Sequence, residues 1–299
     1  MERPAAREFH DRGYCPVKKR RLLHIRVEPS ILPGFRLALG FTLVYLAAVV
    51  IIPLSGLFVE ASKLTPLAFW HAVASERVLH AYKISFGLSL VAALLNGFFG
   101  LIVAWVLSRY HFPGKKIMDA VVDLPFALPT AVAGIALTAL YAPKGWIGHF
   151  FALFGISIAF TPLGIVVALL FVGLPFVVRT VQPVLQDADR ELEEAALCLG
   201  ASKWQTFRQV VFPTIMPSLL TGFAMAFARG LGEYGSVIFI AGNIPKVSEI
   251  VPLVIATKLE QYDYAGATAV ACVMLVSAFI LLFLINWLQA WGGRKAAIA

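Results

Sequence analysis

Two residues of opposite charge, Arg229 and Glu233, stand four positions apart in an otherwise apolar stretch. A charged side chain at the centre of a bilayer costs about 2.5–3.5 kcal/mol even on the milder insertion scales, so both charges need a partner or water. The i, i+4 spacing lets them pair along a helix and cancel each other. Alternatively, Arg229 faces an aqueous path and offers positive potential to a dianion, while Glu233 holds it when no anion is present. The two interpretations are compatible.

A second group with possible chemistry opens another apolar stretch, where Asp119 and Asp123 are followed by Pro125 and Pro129. Each proline lacks a backbone N–H and so leaves a carbonyl of the preceding turn unbonded. The sequence therefore predicts a kinked helix over 119–141.

The remaining reactive residue types form no pattern that is typical of catalysis. The cysteines are odd in number and widely spaced, which indicates neither a disulfide framework nor a metal site: Cys15, Cys198 and Cys272. Cys272 lies in an apolar run, so we expect it to pack as a small apolar residue. The histidines have no metal-ligand spacing: His71, His80, His111 and His149. We expect no catalytic residue and no metal site.

A phosphate-binding loop is also missing from the sequence. The Gly114-Lys115 pair has Arg109 at the position where such a loop needs glycine, and Lys116 follows it. We therefore expect that this chain binds no cofactor and that any ATP is hydrolysed elsewhere.

The elements that must position these residues are apolar helices. The chain has 299 residues, of which 60% are hydrophobic and only 14% are charged. A soluble domain would carry about a quarter charged residues, so lipid must cover much of this surface. Spanning a bilayer takes about 20 apolar residues, and six stretches qualify: 35–58, 84–107, 119–141, 159–178, 214–240 and 264–291. Asn96, in the second stretch, is a candidate for a hydrogen bond between helices. The segment 146–154 is too short to span and is expected to lie at the interface.

Basic residues set the expected orientation. Most of the 25 Lys and Arg residues fall in the N-terminal tail and in alternate loops, which places these segments and both termini in the cytoplasm. This bias also accounts for the net charge of +8 without a nucleic-acid partner. We divide the chain into a basic tail (1–34), a six-helix domain (35–291) and a short cytoplasmic tail (292–299).

The cytoplasmic loop 179–213 carries a pattern of two short helices. Asp187 or Asp189 can cap the first helix, and an apolar stripe follows at helical spacing. Gly200 stands where a helix end favours a residue that tolerates positive φ. Ser202 can cap a second helix, with Pro213 at the entry to the next span. The apolar stripes are expected to be Leu192, Ala195, Ala196 and Leu199 in the first helix and Trp204, Phe207, Val210 and Val211 in the second.

This loop resembles the EAA loop of ATP-binding-cassette (ABC) importer permeases. The likeness rests on five residues and their spacing: Glu194, Ala195, Ala196, Gly200 and Ala201. In that family the loop docks into a cleft of the ATPase subunit. The resemblance thus implies that these residues couple the chain to a partner ATPase.

Three further stretches narrow the resemblance: DLPFALPTAVAG from Asp123, FVVRTVQPVL from Phe176 and ARGLGEYGSVIFIAGN from Ala228. They look like the T-type permease subunit of sulfate/thiosulfate importers, over about residues 30–292. Molybdate permeases are close relatives and remain the alternative. The resemblance implies an all-α integral membrane protein with the type I ABC importer permease fold. It also implies a second homologous permease subunit, two ATPase subunits that bind ATP and Mg, and a periplasmic sulfate-binding protein in the bacterial inner membrane.

The same stretches supply the candidates for a translocation path: Asp123, Pro125, Pro129, Thr130, Arg229, Glu233 and Tyr234. Two rival functions predict different features. An ATP-independent anion transporter would leave the EAA-like loop without a role. A membrane-embedded enzyme should show His, Asp or Glu clustered at one membrane face, and no such cluster stands outside the acidic run of the loop.

Overall fold

The computed structural model describes residues 35–296, with side chains throughout that range except those of Arg36, Arg190 and residues 288–296. The basic tail 1–34, including Cys15, lies outside the described residues. All regular elements between 35 and 296 are helical.

The chain divides into two compact units, Met1–Ile52 and Pro53–Ala299. In the first, α1 (Phe35–Leu46) continues into one π-helical turn (Ala47–Ile51). Helix α2 (Ile52–Ser62) begins at the boundary.

The second unit contains all the later helices. In chain order these are α3 (Pro66–Val73), α4 (Glu76–Arg109), α5 (Lys115–Val122), α6 (Leu124–Ala127), α7 (Thr130–Tyr141), α8 (Trp146–Ala152), α9 (Pro162–Asp187), α10 (Arg190–Cys198), α11 (Lys203–Thr206), α12 (Phe212–Leu231), α13 (Val237–Ile240), α14 (Val251–Glu260) and α15 (Tyr264–Ala296).

Five helices within the described residues are long and apolar enough to cross a membrane: Leu37–Ser62, Glu76–Arg109, Pro162–Asp187, Lys203–Leu231 and Tyr264–Trp287. These correspond to five of the six predicted stretches. The total of six spans and the cytoplasmic position of the termini stay predictions.

The third predicted stretch is not one kinked helix but three short ones, α5, α6 and α7. Each proline stands at the beginning of a helix, where its missing N–H would be unpaired in any case. Pro125 lies in the first turn of α6, and Pro129 is the N-cap of α7. The chain therefore breaks at Asp123 and again at Leu128.

The predicted loop 179–213 is shorter than its sequence suggests, because the helices on both sides extend into it. Helix α9 runs on to Asp187, and the helix after the loop begins at Lys203 and passes through one π turn (Phe207–Val211) into α12. The predicted second short helix is therefore the first turns of a long one. Buried contacts explain both extensions, since Val181 and Leu185 pack in one cluster with Val211.

The fifth predicted span also differs, since α12 ends at Leu231 and residues 232–236 are not helical before α13 begins. Gly232 is the C-cap of α12. The sixth stretch exceeds its predicted limit at 291 and continues to Ala296. The short segment predicted at 146–154 is helical over Trp146–Ala152.

Helices α4, α9 and α12 pack against one another at the centre of the second unit. Small residues permit the close approach that is common between membrane helices. A Cβ on Gly100 of α4 would lie 2.8 Å from Cβ of Val177, and a Cβ on Gly222 of α12 would lie 2.8 Å from Cα of the same valine. Asn96 Nδ2 donates to the carbonyl of Leu169 at 3.3 Å, which confirms the predicted bond between helices.

An ion pair and a hydrogen bond tie the loop before α14 (241–250) to α4. Glu249 is 1% exposed, and Arg77 Nε donates to its Oε2 at 2.8 Å. Two residues on, the N–H of Val251 donates to Ser85 Oγ at 2.8 Å. This loop is thereby fixed to the beginning of α4.

Candidate functional site

Helix α10 is the helix predicted in the EAA-like loop, and it begins where the sequence allowed. Asp189, rather than Asp187, occupies the N-cap position, but its side chain makes no capping hydrogen bond. Glu191 and Glu193 lie in the first turn, where negative charge is favoured by the helix dipole.

The end of α10 explains the spacing of the small residues in the motif. Gly200 adopts φ +88°. The N–H of Gly200 donates to the carbonyl of Leu197, and the N–H of Ala201 donates to that of Ala196, each at 3.0 Å. This pair of bonds defines a Schellman motif, which needs a residue that tolerates positive φ at the position of Gly200. Nothing lies within 4 Å of a Cβ placed on Gly200, so backbone conformation alone requires glycine.

Helix α10 is uncovered on most sides within the described residues. Leu192 is 59% exposed and Leu199 is 90% exposed, although both belong to the apolar stripe. Ala195 is exposed beside them, whereas Ala196 is half-buried. The side chain of Glu194 is exposed and has no hydrogen bond or ion pair to another described residue. An exposed apolar strip on a helix that also carries exposed carboxylates is suited to a partner surface with a basic group.

Glu193 anchors α10 to α4. Arg109, in the last turn of α4, forms an ion pair with Glu193, and its guanidinium lies 5.7 Å from the ring centroid of Trp105. Trp105 in turn contacts Phe207 edge-on, with centroids 5.5 Å apart. This anchor was not predicted from the sequence. The signal that could have indicated it is Arg109 itself, a cation at the end of a long apolar helix.

Ser202 begins the helix that follows, as predicted. Its hydroxyl accepts from the N–H of Gln205 at 3.3 Å, and its own N–H donates to Gln205 Oε1 at 2.7 Å. This capping box holds the turn between α10 and α11 in one conformation. Trp204, however, remains 67% exposed, while Val211 on the predicted face is buried.

Arg229 and Glu233 form the predicted ion pair, with Nη1 and Oε2 2.6 Å apart. Glu233 is 1% exposed, and its other oxygen accepts from both the N–H and the hydroxyl of Ser236 at 2.9 Å. The carboxylate is therefore fixed to the non-helical segment 232–236. The Arg229 side chain is 35% exposed and keeps donors free for a further contact.

Thr130 lies against this non-helical segment. A Cβ on Gly235 would be 2.1 Å from Thr130 Oγ1, and a Cβ on Gly134 would be 2.5 Å from the carbonyl oxygen of Ser236. Tyr234 is 37% exposed between these contacts. The structure thus brings Thr130 to the segment that contains Glu233 and Tyr234.

Asp123 belongs to a different cluster. Its two carboxylate oxygens accept from Arg179 Nε and Nη2 at 2.8 and 2.6 Å. Pro125 is half-buried and Pro129 exposed at the breaks that follow. Arg179 was not among the predicted site residues, although it stands in one of the three stretches that carry the resemblance.

Residues 96–296 match the family model for the binding-protein-dependent transport system inner membrane component. Curated relatives extend the match to most of the chain. The sulfate transport system permease protein CysT of Salmonella typhimurium is 48% identical over 265 residues, which cover 89% of this chain and 96% of that protein. The protein of the same name from Synechocystis is 51% identical and covers 85% of this chain and 89% of its own length. The Escherichia coli protein is 46% identical and covers 89% and 96%.

Solved structures agree with the fold. A chain of a bacterial ABC transporter that imports the acidic polysaccharide alginate superposes with a TM-score of 0.71 at 16% identity, covering 85% of this chain and 94% of that chain. A second structure of a bacterial alginate ABC transporter, in complex with its alginate-bound periplasmic protein, gives 0.70 at 18% identity, covering 85% and 93%. The chain therefore belongs to the binding-protein-dependent transport system inner membrane components, the permease family of ABC importers, in the group whose curated members are sulfate permeases.

Proposed function

We propose that this chain is the permease subunit that moves sulfate or thiosulfate across the bacterial inner membrane, by alternating access and at the expense of ATP hydrolysed on a separate subunit. The relatives at 46–51% identity support sulfate as the substrate, since each is named a sulfate transport permease. The close relationship of molybdate permeases makes molybdate or tungstate the second candidate.

The observation that carries the proposal is the exposure of α10. Leu192, Leu199 and Glu194 are uncovered on a helix that is anchored to α4 through the ion pair of Glu193 with Arg109. A partner that docks there displaces α10 and, through this anchor, the core helices. We infer that the coupling residues are Glu194, Ala195, Ala196, Gly200 and Ala201, and that the partner is an ATPase that holds ATP and Mg.

The assembly that this function requires has four kinds of subunit. We infer that a second, homologous permease completes the channel, as the resemblance to the importer family implies. Two ATPase subunits dock on the coupling loops, and a periplasmic sulfate-binding protein delivers the anion to the outer face. The alginate transporter in complex with its periplasmic protein provides the structural precedent for delivery of this kind.

Arg229 supports the anion path within this chain. Its charge is held at the end of α12 by the buried Glu233, while part of its guanidinium stays exposed. We propose that a passing dianion contacts Arg229, and that Thr130 and Tyr234 line the same part of the path. Pro125 and Pro129 would supply the breaks that let α6 and α7 move.

The test is uptake of labelled sulfate by cells that lack their own T-type permease and carry this one. Uptake that excess thiosulfate blocks and excess molybdate barely affects supports sulfate and thiosulfate as substrates. Molybdate uptake in the absence of sulfate uptake would favour the molybdate-type alternative. Sulfate uptake that persists without the ATPase would favour an ATP-independent anion transporter.

Replacing Gly200 with valine should uncouple the importer. A valine at φ +88° is strained by about 1–2 kcal/mol, which opens the Schellman turn. We expect sulfate uptake to fall while the protein still inserts. Gly155→Val is the matched control, because Gly155 also has positive φ and open space but lies in the loop between α8 and α9. Gly200→Asn, which tolerates positive φ, should retain uptake. Normal uptake and normal ATPase association in Gly200→Val would contradict the coupling assignment.

A further inference from the structure

Arg179, in the second half of α9, uses every donor of its guanidinium. Its Nε and Nη2 donate to the two oxygens of Asp123 at 2.8 and 2.6 Å. Nη1 donates to Asp119 Oδ1 and to Gln182 Oε1, both at 2.8 Å, and Nη2 also donates to the backbone carbonyl of Asp119 at 2.9 Å. A planar guanidinium whose N–H groups are all hydrogen-bonded fixes the positions of its partners.

The two aspartates stand just before and at the junction between α5 and α6. Asp119 lies in α5, and Asp123 is the residue between α5 and α6. Two apolar contacts accompany the ion pairs. Val122 is buried in the same cluster as Val178 of α9, and the ring of Phe126 in α6 meets Phe176 edge-on at 5.1 Å between centroids. The beginning of the broken segment is thus fastened to α9.

The coupling loop lies at one end of this connection. Helix α9 ends at Asp187, and α10 begins three residues later at Arg190. Between Arg179 and that end, Val181 and Leu185 of α9 are buried with Val211 of the helix after the loop. Helix α10 packs against the π turn that contains Val211, so a displacement of α10 acts through this turn on the part of α9 that holds Asp119 and Asp123.

The non-helical segment with Glu233 lies at the other end. Beyond the breaks at Asp123 and Leu128, α7 contacts Gly235 through Thr130 and Ser236 through Gly134. One route of packed elements thus runs from the coupling loop through α9 and α5–α7 to the ion pair of Arg229.

Partial exposure makes this cluster different from a purely structural buried pair. The side chains of Arg179, Asp119 and Asp123 are 30%, 39% and 47% exposed. Charges in contact with water lose little when they separate, so ion pairs of this kind contribute little to stability. The five hydrogen bonds to this guanidinium therefore fix the positions of their partners but add little to the stability of the fold.

We propose that Arg179 is a positioning residue of the transport cycle, which clamps the break between α5 and α7 to α9 so that movement of the coupling loop reaches the segment around Arg229. The proposal rests on the ATP-driven transport proposed above. If Arg179 served only folding, its loss should abolish both ATP hydrolysis and uptake. If it is a clamp, its loss should reduce uptake while ATP hydrolysis continues.

The first experiment measures sulfate uptake per ATP hydrolysed in proteoliposomes with the complete importer and its binding protein. Arg179→Lys keeps the charge but loses the fork, and Arg179→Gln loses both. We expect ATPase activity to stay near wild type while uptake falls about tenfold, as when hydrogen bonds to charged groups are lost. Adding Asp123→Asn to Arg179→Gln should lower uptake little further, since both changes remove the same contact.

The control is an ion pair outside the route. Lys258 Nζ lies 2.8 Å from Asp263 Oδ2, and both side chains are also partly exposed. Lys258→Gln should leave the ratio of uptake to ATP hydrolysis unchanged. A wild-type ratio in both Arg179 variants would overturn the clamp. If wild-type vesicles hydrolyse ATP but move no sulfate, the proposed substrate fails instead, and the ratio is then measured with molybdate.

A reversible cross-link tests the clamp even if Arg179→Gln fails to assemble. Arg179→Cys and Asp123→Cys are combined with serine at Cys15, Cys198 and Cys272, and the two new thiols are bridged with a short bis-methanethiosulfonate. The unbridged protein should hydrolyse ATP with little uptake, and bridging should restore uptake until a reductant removes the bridge. Full coupling without the bridge, or no gain with it, would contradict the proposal.

Discussion

At the scale of single residues, the ion pair of Arg229 and Glu233 shows how an apolar helix accommodates charge. Glu233 is 1% exposed and accepts three hydrogen-bonding contacts, from Arg229 and from two groups of Ser236. Breaking such a pair on one side leaves a buried carboxylate uncompensated, which costs about 3–5 kcal/mol. A single substitution of Arg229 therefore mixes loss of function with loss of stability.

Removal of both charges separates these effects. We expect Arg229→Gln to abolish sulfate uptake, and the double variant Arg229→Gln with Glu233→Gln to assemble normally yet remain inactive, because the positive charge is what a dianion needs. The measurement is labelled sulfate uptake normalised to the amount of assembled importer.

The control for this pair is Lys83→Gln, an exposed cation of α4 that has no ion pair within the described chain. It should transport normally. Recovery of uptake in the double variant would mean that Arg229 serves only to neutralise Glu233.

At the scale of helices, sequence patterns located the apolar elements but not their ends. Hydropathy finds α4, α9 and α15 because each contains a long apolar run. Hydropathy alone ends α9 near Val178, because the polar residues Arg179 and Gln182 follow. The helix continues because these polar side chains bond to Asp119 and Asp123, which are distant in sequence. Long-range partners of this kind cannot be inferred from hydropathy.

The opposite error occurs after Leu231, where an apolar run contains a break. Residues 234–240 are apolar enough to extend α12, yet the buried carboxylate of Glu233 binds the N–H and hydroxyl of Ser236 and ends the helix. The turn at Gly200, by contrast, was predicted closely, because Gly200 and Ser202 act through local backbone bonds. Among contacts between helices, the sequence indicated that Asn96 would bond to another helix but not which residue it would meet.

The contact between α4 and α9 yields a prediction for this scale. An alanine at Gly100 would place its Cβ 2.8 Å from Val177, whereas nothing lies within 4 Å of a Cβ on Gly97 in the same helix. Overpacking costs about 1–3 kcal/mol, so Gly100→Ala should lower the Tm of the detergent-solubilised protein. Gly97→Ala should leave it unchanged or raise it, since alanine favours helix by about 1 kcal/mol. Equal shifts in the two variants would show that α4 and α9 do not approach closely at Gly100.

At the scale of the whole molecule, the second unit presents apolar side chains where a soluble protein would present polar ones. Leu94, Phe98 and Phe283 are 57%, 62% and 63% exposed. Exposure of this kind is stable in lipid and marks an interaction surface in water. The anchored α10, with its charged first turn, is the part of the second unit that we expect to emerge on the cytoplasmic side.

The cysteines make that expectation measurable. Cys198 is exposed at the end of α10, and Cys272 is 5% exposed with its Sγ 3.6 Å from the carbonyl of Leu57. In a Cys15→Ser variant, a membrane-impermeant maleimide should label Cys198 in inverted vesicles and leave intact spheroplasts unlabelled. Bound ATPase should protect Cys198, because it covers the exposed stripe of α10 beside it.

Two further variants complete this test of orientation and docking. Cys198→Ser should lose the label, and Gln261→Cys, an exposed position between α14 and α15, should be labelled from the outside of spheroplasts. Labelling of Cys198 in spheroplasts would overturn the predicted orientation. Labelling in inverted vesicles that ATPase does not reduce would leave the orientation intact and place the docking surface away from α10. The sidedness of labelling thus tests the orientation of the chain, and protection by the ATPase tests docking on α10. Each result can contradict its own proposal without affecting the other.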